Sequence, residues 1–98
     1  MNGPTLKQNV VINNPQGFHL RPMGAFAQLA SRFESSVKVS REGQTVNGKS
    51  ILDLMLLAAV QGTELMLEVT GSDAEDALSA LVRLLNAPPE EETTASSV

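Results

Sequence analysis

The sequence is poor in the residue types on which several kinds of site depend. It contains no cysteine, tryptophan or tyrosine, and only three phenylalanines and one histidine in 98 residues. Without cysteine there is no disulfide, thiolate metal site or cysteine nucleophile, and one histidine cannot complete a zinc site. So few aromatic residues argue against a stacking platform for single-stranded nucleic acid. We therefore expect no metal, no cofactor and no nucleic-acid partner.

Long apolar runs are also missing. The longest, residues 54–60, is far below the ~20 residues that span a bilayer. The first eight residues lack the basic region and apolar run of a signal peptide. The chain length suits one domain. These features predict a cytoplasmic protein without membrane insertion.

Charge is distributed unevenly along the chain. Residues 1–50 carry a net charge of +4 and residues 51–98 one of −8, which together give −4. Three of the excess carboxylates lie at residues 90–92, in a C-terminal stretch without periodicity. We predict a folded domain over residues 1–86 with a locally basic side that faces acidic partners, followed by a disordered acidic tail over residues 87–98.

Four segments have the pattern of β-strands. Residues 36–41 and 64–70 alternate apolar and polar side chains, residues 7–13 contain three β-branched residues in succession, and residues 44–46 return after a Glu-Gly turn. Interleaved with three helical segments, they predict the order β-α-β-β-α-β-α and an α+β fold with an antiparallel sheet. The alternation of apolar and polar residues does not determine the order of the strands in the sheet, so the ferredoxin-like order and related orders stay open.

Apolar residues at helical spacing predict the first helix. Met23, Phe26 and Phe33 fall on one face, and we expect both phenylalanines in the core. A proline disfavours helical backbone angles in the residue before it. Periodicity therefore places the helix start at Pro22 and leaves residues 16–21 as a loop.

Capping boxes predict where the other two helices begin. Ser50 with Asp53 predicts a helix over residues 50–60, and Ser72 with Glu75 predicts the last helix. The helix over residues 50–60 is apolar on nearly every side, which is typical of a buried helix. Its expected core residues are Leu54, Leu57 and Ala58.

The single histidine is the leading candidate for chemistry. His19 lies in Gly17-Phe18-His19-Leu20-Arg21-Pro22, just ahead of the first helix. Imidazole forms covalent intermediates as a nucleophile. A helix N-terminus and the guanidinium of Arg21 both suit phosphoryl oxygens. Taken without further context, a lone histidine beside a helix is more often a surface residue with no role.

Three segments resemble the HPr family, the phosphocarriers of the bacterial phosphotransferase system. Residues 17–22 resemble its histidine phosphorylation motif, Gly-Leu-His-Ala-Arg-Pro. Residues 46–55, Val-Asn-Gly-Lys-Ser-Ile-Leu-Asp-Leu-Met, are similar to its regulatory serine segment, and residues 71–78 follow in the same order. The resemblance covers residues 7–85. It implies an open-faced β-sandwich, with a four-stranded antiparallel sheet and three helices on one face, and a first helix that begins closer to His19.

The resemblance also implies roles for individual residues. His19 would accept a phosphoryl group on Nδ1 from phosphorylated enzyme I and pass it to an enzyme IIA, with Arg21 stabilising the group. Ser50 would be the target of an HPr kinase/phosphorylase. The charge of Asp53, however, opposes a phosphate on Ser50, so the alternative that Ser50 only caps the helix stays open. The implied partner-binding residues are Leu20, Met23, Lys49, Ile51, Leu52 and Met55.

Such a protein would be a monomeric carrier without turnover of its own. Leu20 and Met23 replace small residues of the family pattern, and we expect them to make the rim around His19 bulkier. One alternative is a regulatory HPr-like module that docks on kinases or transcription regulators without sugar transport. A ferredoxin-like RNA binder is disfavoured, because the strands lack paired aromatic residues.

Overall fold

The computed structural model describes residues 3–87. The tail predicted from residue 87 onward therefore lies, apart from Ala87, outside the described residues. The elements follow in the predicted order: β1 (Thr5–Val11), α1 (Leu20–Ala30), β2 (Ser36–Arg41), β3 (Gln44–Asn47), α2 (Ile51–Met55), β4 (Glu64–Thr70) and α3 (Ala74–Asn86).

The four strands form one antiparallel sheet in the order β1-β4-β2-β3. The three helices pack on one face of it, which confirms the predicted α+β architecture. Leu65, Leu67 and Val69 of the central strand β4 alternate with more exposed residues and are fully buried. Phe26 from α1 and Leu81 from α3 close the core above them. This packing fixes the positions of the helix ends and loops that carry the candidate site.

The first helix begins where the resemblance places it, not where periodicity alone does. Its first residue is Leu20, so Arg21 is helical despite preceding Pro22. A proline in the first turn is tolerated because its missing N–H would have no partner within the helix. Phe33, predicted in the core, is half-buried and packs against the core from beyond the end of α1.

The second helix is shorter than predicted. It ends at Met55, and the amides of the next three residues bond to carbonyls three residues back, as in a 3₁₀ turn. The backbone then turns at Ala58, whose φ of +48° is left-handed. Leu54 and Leu57 are buried as expected. Ala58 is exposed, so its predicted place in the core is wrong.

The left-handed alanine yields a stability prediction. Such a conformation costs an L-residue roughly 1–2 kcal/mol relative to glycine, part of which is offset by the greater freedom of glycine in the unfolded chain. We expect Ala58→Gly to raise the free energy of unfolding by about 0.5–1 kcal/mol in urea titrations. Ala25→Gly, at an exposed position inside α1, is the matched control and should lower it. A lower free energy of unfolding in Ala58→Gly would contradict the proposal that the left-handed backbone of Ala58 is strained.

The predicted cap of α3 is also wrong. The helix begins at Ala74, its N-cap is Asp73 rather than Ser72, and no side chain caps it. The carboxylate of Asp73 instead accepts hydrogen bonds from the turn after α1, from the backbone N–H groups of Glu34 and Ser35 at 2.9 Å each and from the Ser35 hydroxyl. Asp73 therefore ties two distant turns of the chain together.

The end of α3 packs against the loop before α1. Leu84, Leu85 and Ala87 line one small cavity together with Gly17 and Phe18 of that loop. The last described residue therefore lies beside the segment that carries the single histidine.

Candidate functional site

The loop that leads to His19 is held against the segment between α2 and β4. The backbone N–H of Phe18 donates to the carbonyl of Ala59 at 2.9 Å. Gly17 has a φ of +76°, and a Cβ there would lie 2.8 Å from the same carbonyl oxygen. The ring of Phe18 is buried and meets Phe26 edge to face, with centroids 5.9 Å apart. These contacts leave little freedom to the backbone that enters α1.

His19 is the N-cap residue of α1. Its backbone is extended, with φ −93° and ψ −172°, and its carbonyl accepts the first helical hydrogen bond from Met23 at 3.0 Å. Its side chain makes no capping hydrogen bond to the helix. The half-buried imidazole is therefore placed at the start of α1 without being used to hold the helix.

The start of α1 can bind negatively charged oxygens. The first N–H groups of a helix have no intrahelical partner and carry the positive end of its dipole. Leu20 and Arg21 supply two such N–H groups, whereas Pro22 has none. The side chain of Arg21 is exposed, and a guanidinium can hold two phosphoryl oxygens at once. The arrangement can thus surround an anion attached to His19 with donors.

Ser50 is a helix cap in this structure. As the N-cap of α2, its hydroxyl accepts a hydrogen bond from the N–H of Asp53 at 3.2 Å, which confirms this half of the predicted capping box. The carboxylate of Asp53 turns the other way and accepts from the N–H of Asn47 at 3.1 Å. A negative charge added to Ser50 would thus meet a carboxylate on the same first turn.

Most residues that were expected to bind partners are exposed apolar side chains near His19. Leu20 is 65% exposed, Leu52 76%, and Ile51 and Met55 39% and 51%. A Cβ added at Gly24, one turn after Leu20, would be 4.0 Å from Cδ1 of Ile51, so α1 and α2 adjoin there. These side chains therefore form a surface continuous with the start of α1.

Two further exposed apolar residues, which follow the end of α2, were not predicted from the sequence. Leu56 and Val60 are each 62% exposed. The neighbouring Leu54 and Leu57 point into the core, and this alternation of faces could have been found from the helical spacing of the apolar run. We call the exposed set on α1 and α2 and directly after α2 the apolar patch: Leu20, Ile51, Leu52, Met55 and Leu56. Val60 instead lines a separate cavity with Arg41, Gln61 and Glu64.

Two expected partner-binding residues are placed differently. Met23 is buried and belongs to the core, so the expectation that it makes the rim around His19 bulkier is wrong. It lies on the apolar face of α1 that the helical periodicity had already identified. The ammonium of Lys49 donates to the carbonyl of Phe33 at 2.8 Å, and its side chain is half-buried. Lys49 therefore also holds the turn after α1.

The described part of the chain lacks two further features, a cluster of metal-binding side chains and a membrane-spanning helix. Within residues 3–87 no group of three or more His, Asp or Glu side chains is placed to bind a metal. In the same range, no helix combines the length and the apolar character needed to cross a bilayer.

Comparison with known proteins gives a consistent result. Residues 6–87 match the family described as "PTS HPr component phosphorylation site". The phosphocarrier protein HPr of Neisseria meningitidis is 47% identical over 81 residues, which cover 83% of this chain and 91% of that protein. The crystal structure of HPr-C-His from Thermoanaerobacter tengcongensis superposes with a TM-score of 0.80 at 37% identity, over 89% of this chain and 93% of that one. The HPr-like protein Crh of Bacillus subtilis is 41% identical over 76 residues, 78% of this chain and 89% of that protein.

The chain belongs to the class of small phosphocarrier domains. This class is defined by the open antiparallel sheet with three helices on one face and by the match to the phosphorylation-site family. The chain belongs to the HPr family, the phosphocarriers of the phosphotransferase system.

Proposed function

We propose that His19 accepts a phosphoryl group on Nδ1 from phosphorylated enzyme I and passes it to an enzyme IIA. One observation carries the proposal: His19 is the N-cap of an eleven-residue helix, yet its imidazole makes no capping hydrogen bond. The nucleophile thus stands beside the N–H groups that can bind the transferred group. The protein is a carrier in the cytoplasm, and it has no turnover of its own.

Phosphoryl transfer requires mainly positioning and charge stabilisation. A lone pair of the neutral His19 imidazole attacks phosphorus in line and forms the P–N bond, while the bond from phosphorus to the donor breaks and its electron pair leaves with the donor. The N–H groups of Leu20 and Arg21 and the Arg21 guanidinium hold the phosphoryl oxygens. Transfer to an enzyme IIA is the same step with the chain as donor.

The apolar patch would be the docking surface for both partners. An exposed cluster of this kind commonly marks an interaction site, and this one adjoins the start of α1. The exposed Arg21 adds positive charge at its edge, which suits partners with acidic rims. Because one small surface serves both partners in turn, we propose that the chain acts as a monomer.

The test is phosphorylation with purified partners. With phosphoenolpyruvate and enzyme I, one phosphoryl group is expected on the chain, and mass mapping should place it on His19. Addition of an enzyme IIA should then remove it, while a non-partner protein of similar size should not. A phosphoryl group mapped to any other residue, or none, would overturn the proposal.

A second function is a regulatory HPr-like module that binds kinases or transcription regulators without serving sugar transport. The similarity to Crh of Bacillus subtilis favours it, because the solution structure of Crh describes that protein as a catabolite repression HPr. Phosphorylation of Ser50 by an HPr kinase/phosphorylase would place a phosphate at the N-cap of α2, where the carboxylate of Asp53 opposes the new charge. This function is favoured over the carrier if no enzyme IIA accepts the phosphoryl group from His19 while the chain still binds a kinase or transcription regulator.

A further inference from the structure

Arg41, the last residue of β2, holds a segment sixteen residues further along the chain. Its Nη1 donates to the carbonyl of Leu57 at 2.7 Å and to that of Ala58 at 3.0 Å. Two successive carbonyl oxygens that point to one place repel each other, and a guanidinium cation offsets that repulsion. The side chain is half-buried, so the interaction is partly shielded from water.

The same segment contains the left-handed Ala58. A non-glycine residue remains in this conformation only where its surroundings hold it there. The two hydrogen bonds from Arg41 bracket Ala58, because the carbonyls that accept them belong to the peptide units on either side of its Cα. Arg41 therefore helps to stabilise the left-handed turn at Ala58.

The turn that Arg41 holds is also the support of the histidine loop. Ala59, the next residue, accepts the hydrogen bond from Phe18, and Gly17 packs on the same carbonyl too closely for any Cβ. Phe18 immediately precedes His19. A continuous series of contacts thus leads from Arg41 through residues 57–59 to the N-cap of α1, although Arg41 does not touch His19.

We propose that Arg41 is a positioning residue for phosphoryl transfer at His19. By fixing residues 57–59 it sets the placement of Phe18, and so the direction in which His19 presents its imidazole to a partner. A displacement of about 1 Å at a reacting group is enough to slow a reaction by roughly a hundredfold. The proposal rests on the proposed function of His19 and adds a residue outside the phosphorylation motif.

Arg41→Met tests the proposal, because it removes the donor but keeps an unbranched side chain that fills the same path. Amide hydrogen exchange at Phe18 reports the support of the loop directly, and exchange at Val69 in the central strand reports global opening. We expect exchange at Phe18 to rise by roughly tenfold, as for loss of one charge-assisted hydrogen bond. Exchange at Val69 should rise by no more than that, because the lost bonds also contribute to global stability. The kcat for phosphorylation of His19 by enzyme I should fall several-fold, with KM for the chain unchanged.

Two further variants sharpen the test. Arg32→Met removes the same charge from an exposed position after α1 and should match the wild type in every readout. Arg41→Lys keeps a cationic donor and should restore part of both the exchange protection and the rate.

Three results would overturn the inference. They are unchanged exchange at Phe18, a rise at Val69 larger than the rise at Phe18, and an unchanged kcat in Arg41→Met. Failure of the proposed function is distinguished by the wild-type reaction. If the wild-type chain is not phosphorylated on His19, the proposed function is wrong, whatever the Arg41 variants show.

Discussion

His19→Ala is expected to abolish phosphorylation of the chain by enzyme I and phosphoenolpyruvate, while the fold stays intact. The sequence contains no other histidine that could take the phosphoryl group. The imidazole makes no capping hydrogen bond, so its removal should change the free energy of unfolding by less than about 0.5 kcal/mol, as for an ordinary surface substitution. Transfer of radiolabel from phosphoenolpyruvate and urea titration measure the two effects.

The control for this prediction is Gln28→Ala, at an exposed position on α1, which should be labelled like the wild type. Normal labelling of His19→Ala would show that the phosphoryl group goes elsewhere. A large loss of stability in the same variant would show that the imidazole supports the fold, against its position in the structure.

Asp73→Ala is expected to destabilise the protein more than any other change of an exposed or half-exposed residue discussed above. Its carboxylate accepts from the N–H and hydroxyl groups of Ser35 and from the N–H of Glu34. Ser35 is only 1% exposed, so water cannot readily replace the lost acceptor. A buried donor left without a partner destabilises the folded state. Thermal unfolding should show a fall of several degrees in Tm.

The same interaction makes the stability depend on pH. The Ser35 hydroxyl lowers the pKa of Asp73 below its usual 3.8, with further help from the Glu34 and Ser35 backbone N–H groups. Because the folded pKa is the lower one, the unfolded chain binds more protons in acid. The stabilisation is therefore complete above about pH 4 and is lost as the pH falls through the folded pKa.

Denaturant titrations between pH 6 and pH 2 measure this loss. The free energy of unfolding of the wild type should fall more steeply in acid than that of Asp73→Asn, which has no charge to lose. Asp76→Asn removes a carboxylate from the same first turn of α3, at an exposed position, and serves as the control. Equal slopes for the wild type and Asp73→Asn would contradict the assignment.

The elements that could be predicted are those whose sequence signal is local. The strands at residues 36–41 and 64–70 agree residue for residue with β2 and β4, because alternation reports directly which face is buried. The burial of Met23 and Phe26 follows from the helical spacing of α1. The expectation that Met23 is exposed came from its departure from the family pattern, and periodicity was the better guide.

The features that could not be predicted depend on contacts between distant parts of the chain. Ser72 looks like a helix cap locally, but Asp73 is recruited by Ser35, 38 residues away, and the helix begins later. Ala58 has no sequence signal for a left-handed backbone, so the helix was predicted to continue through it. Arg41 carries no motif, and its role emerges only when β2 and the segment after α2 are seen together.

The two ends of the described chain differ in their distance from His19. Ala87 lies beside the histidine loop, whereas Gly3 lies against Gly71, past the end of β4 where Thr5 pairs with Thr70. The seven residues of β1 separate the two regions by on the order of 20 Å. A fluorophore or surface tether joined ahead of Gly3 would leave the face around His19 open. One joined after Ala87 would start at the edge of that face and compete with incoming proteins for space.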